Sequence, residues 1–155
     1  MFSREYYVDL VERKYFGNVE AQDIKAACSC FTNDAKVIIY HGDNEVRRYY
    51  GTPGKGEAGL EVFYDHLLGN YDAEFNDFEH TVDLDSERCA SNFVVTLTPK
   101  IGSDYEESGI LTLNNSNFFR CKEGKIFYMV IYYANPTLGA KIGVNANSPT
   151  GFPKS

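Results

Sequence analysis

One histidine, a few tyrosines and a cluster of amides are the residues here whose types and spacing could do chemistry. His80 lies in "FNDFEHTVDL", where Phe78, His80, Val82 and Leu84 alternate with Glu79, Thr81 and Asp83. In a strand of that period the imidazole shares a face with apolar side chains and points to the core. An imidazole titrates near neutral pH and can pass a proton either way, so His80 is a candidate general acid or base. The competing reading is a core histidine satisfied by a quiet hydrogen bond, since a buried polar group needs a partner. Tyr15 and Tyr40 could donate hydrogen bonds to a ligand oxygen, or could be buried aromatics with their hydroxyls at a rim. "LNNSNFF" puts Asn115 and Asn117 on one face with Leu111, Leu113 and Phe119, and Asn114 and Ser116 on the other. Amides are depleted in strands, so they form either a polar pocket wall or a bulge or interface. Sequence leaves open which parity faces inward.

Other signals are weaker. Glu20 and Asp34 stand beside element starts, where a helix-end charge and a turn residue explain them. Cys28 and Cys30, as C-S-C, point apart on a helix and cannot chelate one metal together. "GTPGKGEAG" lacks the G-x-x-x-x-G-K-[ST] spacing of a phosphate loop and follows a hairpin strand. No metal and no cofactor is expected. His41 and His66 read as exposed.

The net charge of −7 argues against nucleic acid and against an anionic membrane surface as partners. The opening "MFSREYYVDLVERKYF" carries charges where a secretion signal would be apolar, and no run approaches the length of a membrane span, so a cytoplasmic protein is expected.

The elements that must hold these residues follow from periodicity. Residues 4–16 read as a helix, with Ser3 as N-cap, Gly17 as stop and Tyr7, Val8, Val11 and Tyr15 on one face. Residues 20–31 read as a second helix with Cys28 on its apolar stripe and Cys30 on the other side. Strand 35–40 and "EVRRYY" make a hairpin, and a third helix spans about 57–69. "FNDFEHTVDL", "ERCASNFVVTLTP", "ESGILTLNNSNFFRC" and "IFYMVIYYA" are four long strands. The class is α+β, with about three N-terminal helices packed on a strongly curved, mainly antiparallel sheet of about six strands. Residues 1–134 form one domain, and 135–155 form an irregular tail rich in Pro, Gly and Asn. The last strand is apolar on both faces: Ile126, Tyr128, Val130 and Tyr132 on one, Phe127, Met129, Ile131 and Tyr133 on the other. Helices can cover only one face, so a homodimer through the outer sheet face is expected.

The order of "CFTNDAKVIIY" after two helices, "YYG…GLEVFYDHL" and "CKEGKIFYMVIYY" resembles the nuclear transport factor 2-like superfamily over residues 4–134, and within it the SnoaL-like branch of polyketide cyclases, ketosteroid isomerase and scytalone dehydratase. The resemblance implies a cystatin-like cone with a cavity between curved sheet and helices, and dimerisation through the outer sheet face. It places Tyr15 at the isomerase's oxyanion-binding tyrosine. The isomerase's catalytic aspartate falls on Ile39 and its second, protonated aspartate near Ser116, so the steroid isomerase base is missing. His80 resembles the third-strand histidine of dehydratases and cyclases, with Glu20 near the carboxylate that accompanies it. The implied function is a cofactor-independent lyase, isomerase or cyclase acting on a small, apolar, cyclic or aromatic metabolite; the residue types add Tyr40, Asn115 and Asn117 as candidate ligand contacts. The alternatives are a non-catalytic ligand-binding or interaction module and a structural small subunit of an aromatic-ring dioxygenase.

Overall fold

The computed structural model describes residues 1–134; the expected tail, 135–155, lies outside the described residues. The chain enters as one helical run: α1 (Arg4–Val8), a π-helical segment (Asp9–Phe16) and α2 (Gly17–Glu20). Ser3 caps it, accepting from the Tyr6 N–H. The helix does not stop at Gly17. The Gly17 N–H bonds back to the Glu12 carbonyl, the wide spacing of a π turn, and the chain stays right-handed through it. A short α3 (Ile24–Cys28) follows, capped by Asp23.

The expected second helix over 20–31 is thus much shorter, and Glu20 ends a helix instead of starting one. Cys30 is buried and Cys28 only partly so, the reverse of the expected stripe. Then β1 (Phe31–His41) and β2 (Arg47–Tyr50) pair antiparallel. β1 thus takes in Asp34, which is a strand residue and not a turn. β3 (Ala58–Gly59) lies parallel on β2, and α4 (Leu60–Asn70) follows directly.

The rest is β4 (Tyr71–Asp83), β5 (Arg88–Pro99), β6 (Leu111–Lys122) and β7 (Lys125–Ala134), with a short 3-10 turn at Glu106–Ser108. These make one seven-stranded sheet in the order β3-β2-β1-β7-β6-β5-β4. It is antiparallel except at β1–β7 and β2–β3. The extra strand beyond the expected six is β3, too short to show a period of two. Gly51 sits where the β2 end crosses β1: a Cβ there would stand 2.6 Å from the Asn33 carbonyl oxygen, so only glycine allows the approach.

Two bulges set the inward faces. In β4 the register slips between Asn76 and Glu79, with Asp77 at φ 59°. One extra residue is accommodated there, so Tyr71, Ala73 and Phe75 point inward before it and Phe78, His80 and Val82 after it. In β7 a slip opposite Arg120/Cys121 puts Ile126 on the inner row with Met129 and Ile131, correcting the simple alternation expected for this strand. Residues of α4, the first helical run and the inner sheet face form one core, from Val11, Tyr15 and Phe16 to Tyr64, Phe93 and Phe119. Among the described residues no helix is long and apolar enough to cross a membrane.

Candidate functional site

A polar stripe crosses the inner face of the sheet. Pairing brings Ile131, Asn117, Ser91 and His80 into lateral register on β7, β6, β5 and β4. The β4 bulge turns His80 inward, where its side chain is 7% exposed. Ser91 Oγ lies 2.8 Å from Nδ1, and Glu12 Oε1 lies 2.8 Å from Nε2. A carboxylate only accepts, so with Glu12 ionised the proton sits on Nε2, and the Ser91 hydroxyl donates to Nδ1. Glu12 is half-exposed, so this chain of bonds runs from the surface to the buried Ser91. Phe78 stacks on the imidazole at 5.4 Å.

The cone's inner cavity lies one layer further in. Phe16 and Phe93, which pack on Phe78, form part of its wall, and its free volume is about 20 Å³, room for a single water. His80 does not line it. Asn115 and Asn117 do, with Tyr15, Tyr64 and Tyr133. The side-chain oxygens of both asparagines are buried and, among the described residues, have no hydrogen-bond partner. Asn117 Nδ2 reaches only the Met129 sulfur, 3.6 Å away. Tyr15 and Tyr64 hydroxyls are 2.6 Å apart, in the buried wall opposite the sheet. One donates to the other, which leaves one hydroxyl hydrogen over. Burial holds both phenols well above the usual tyrosine range, so both remain donors.

At the open end the cavity adjoins a wider mouth of about 210 Å³, sharing Phe63, Leu67, Leu97 and Tyr133 with it. His41, Arg47, His66 and Tyr105 stand around this mouth. Among the described residues no group of three or more His, Cys, Asp or Glu is placed to hold a metal ion.

No family model matches the chain, and no curated protein matches it in sequence. Solved structures do match in shape. The BvnE pinacolase of Penicillium brevicompactum superposes with a TM-score of 0.68 at 10% identity, covering 91% of this chain and 94% of that one. SalBIII, an epoxide hydrolase/cyclase-like enzyme in pyran ring formation in the polyether salinomycin, gives 0.63 at 18% identity, covering 84% and 93%. A cystatin-like protein of Methylobium petroleophilum gives 0.65 at 14% identity, covering 87% and 80%. The fold is the cystatin-like one, a cone of helices on a curved sheet.

Within that cone the expected residues are redistributed. Tyr15 is buried, as the helical stripe implied, and Asn115 and Asn117 take the inward parity. Tyr40 does not reach the cavity: it is on the outer sheet face, 38% exposed, stacked on Tyr132 at 5.2 Å. Glu20 does not meet His80. Its carboxylate accepts from the Phe75 N–H, 2.9 Å away, at the start of the bulge. Ser116 faces outward and bonds to Asn92, so it cannot stand for the isomerase's second aspartate; its inward neighbours are the asparagines.

Glu12 was missed, although its place one residue after Val11 and three before Tyr15 puts it at the edge of the buried stripe. His41 was missed too. It is half-buried, and burial followed by the nearby Arg47 charge pushes its pKa below the ordinary value. The turn signal of Gly42 masked a side chain that the strand directs inward.

Proposed function

We propose that the chain is a cofactor-independent lyase, isomerase or cyclase whose cone binds a small, largely apolar, cyclic or aromatic metabolite. The observation that carries this reading is the pair of buried, unpartnered amide oxygens of Asn115 and Asn117 facing the Tyr15–Tyr64 hydroxyls in an otherwise apolar cavity. An unsatisfied buried acceptor costs on the order of 1–3 kcal/mol, and a hydroxyl or N–H projecting from a ligand in the wider mouth would relieve it. The spare tyrosine hydrogen would meet a ligand carbonyl or ether oxygen, and would stabilise negative charge developing there. His80 would move the proton, with Glu12 stabilising the imidazolium and Ser91 leading toward Asn117. The names of two neighbours in shape, a pinacolase and a cyclase-like enzyme, support this class of chemistry.

A second reading, a ligand-binding module without catalysis, is favoured by one observation: both ring nitrogens of His80 are already engaged and the ring is off the cavity wall. One experiment separates the two. Single- and fused-ring ketones, phenols and epoxides are screened by thermal shift, and compounds that bind are followed for turnover by NMR in the parent and in His80→Ala. The catalytic reading expects binding to persist and turnover to vanish in the variant. Equal turnover in the variant removes His80 from the chemistry, and binding without turnover in the parent leaves the module.

The outer sheet face carries the partner reading. Tyr40, Phe118 and Tyr132 are exposed there, with Tyr40 stacked on Tyr132 and Phe118 meeting Tyr132 at 5.7 Å. The second copy of this chain is its proposed occupant, because a self-complementary aromatic patch on a sheet suits a two-fold contact.

A further inference from the structure

The mouth of the cone has a charge that the rest of the chain does not. The protein carries 22 acidic residues against 15 basic ones, yet among the described residues no acidic side chain lines the mouth. Arg47 pairs with Ile39, whose side chain is on the inner face, so β2 delivers the guanidinium to the cavity side. Among the described residues Arg47 makes no ion pair and no side-chain hydrogen bond. Beside it His41 has a buried Nε2 with no partner among the described residues. His41 and Tyr133 are neighbours on parallel strands, their rings 5.2 Å apart, and Tyr133 links the mouth to the inner cavity. Tyr71, Leu111 and Leu113 supply apolar wall.

A half-buried guanidinium and an orphaned ring nitrogen in one apolar chamber are complementary to a planar anion. Guanidinium takes a carboxylate through two parallel hydrogen bonds, and an N–H of the neutral imidazole can add a third. The chamber's 210 Å³ exceeds the roughly 150 Å³ that accepts a benzene ring. We propose that the mouth binds the carboxylate of a single-ring aromatic acid, gripped by Arg47 and His41, with the ring on the apolar wall and pointing to the inner cavity. This rests on the reading of the cone as a ligand pocket and names its substrate class: an anionic ring compound.

The probes are benzoate and its neutral isostere benzamide, titrated into the full chain by calorimetry and by ligand-observed NMR. Benzoate is expected to bind roughly tenfold or more tightly than benzamide, the worth of a charge-assisted contact. Arg47→Gln is expected to erase that preference while leaving benzamide binding as it was, and Arg47→Lys to restore part of it. An unchanged unfolding midpoint in Arg47→Gln shows that folding is not the cause; if that variant does not fold, the parent's benzoate preference must instead disappear in high salt. Equal binding of the two probes overturns the anion site but leaves the ring-binding pocket standing. Absence of binding by either overturns the anion site, and the neutral-compound screen then decides the pocket separately.

Discussion

The imidazole of His80 is 2.8 Å from the carboxylate of Glu12, while Glu20 is bonded to the backbone at Phe75. The carboxylate partner of the histidine comes from the middle of the first helical run, where the wide turn of Asp9–Phe16 sets the direction of Glu12. Glu20 holds the strand at the bulge that turns His80 inward. One carboxylate therefore contacts the ring and the other helps to place it.

Removing the ring exposes how much this contact stabilises. His80→Ala leaves the buried Ser91 hydroxyl without its partner and should cost about 1–3 kcal/mol in urea unfolding. Glu12→Gln keeps a hydrogen-bond acceptor at a half-exposed position and should cost only about 0–1 kcal/mol. A larger loss for Glu12→Gln than for His80→Ala would contradict the placement of Ser91 as the buried end of the chain.

The two cavity asparagines should show the opposite behaviour. Asn117→Leu replaces a buried, unpartnered oxygen with an apolar side chain of similar size, a change that is neutral or stabilising. The expected result is an unchanged or higher melting temperature together with loss of the ligand-induced shift. A fall of several degrees with ligand binding intact would show that the amide is structural.

The tyrosine pair should be coupled. Tyr15→Phe and Tyr64→Phe each leave one hydroxyl alone in the buried wall, at about 1–3 kcal/mol. The double variant removes both polar groups, so its cost should fall short of the sum by about 1 kcal/mol. Strict additivity in this double-mutant cycle would mean that the hydroxyls do not share a hydrogen bond.

His41 should make stability depend on pH. Its folded pKa is below the ordinary 6.5 because burial, and then Arg47, disfavour the charged ring. The unfolded state therefore binds the proton more readily. Stability is fully present above pH 6.5 and declines as pH falls from there through the folded pKa. His41→Gln should flatten this part of the stability curve in chemical denaturation at stepped pH. A parallel curve for the variant would assign the slope to other groups.

Sedimentation of Phe118→Lys tests the outer face. A charge beside Tyr132 in the aromatic patch should shift the proposed dimer to monomer without lowering the melting temperature of the monomer. Identical sedimentation of variant and parent would remove this face as the contact.

Much of the layout is written in local patterns. Alternation over 78–84 determined that His80 shares a face with Phe78 and Val82, because strand parity depends only on adjacent residues. The helical stripe determined that Tyr15 is buried, and the run of four strands determined the curved sheet. Other features have no local signal. Asp77 adopts a left-handed backbone, and the bulge it allows is visible only against the partner strand. β1 lies parallel to β7, which no hairpin announces. The bond between Glu12 and His80 spans 68 positions. The inward parity of Asn115 and Asn117 follows from registers across β5, β6 and β7. Sequence by itself determined which residues could do chemistry and which faces are apolar. Only the tertiary structure decided which of them meet, because pairing register and helix docking are set by the packing of the whole core and not by any one segment.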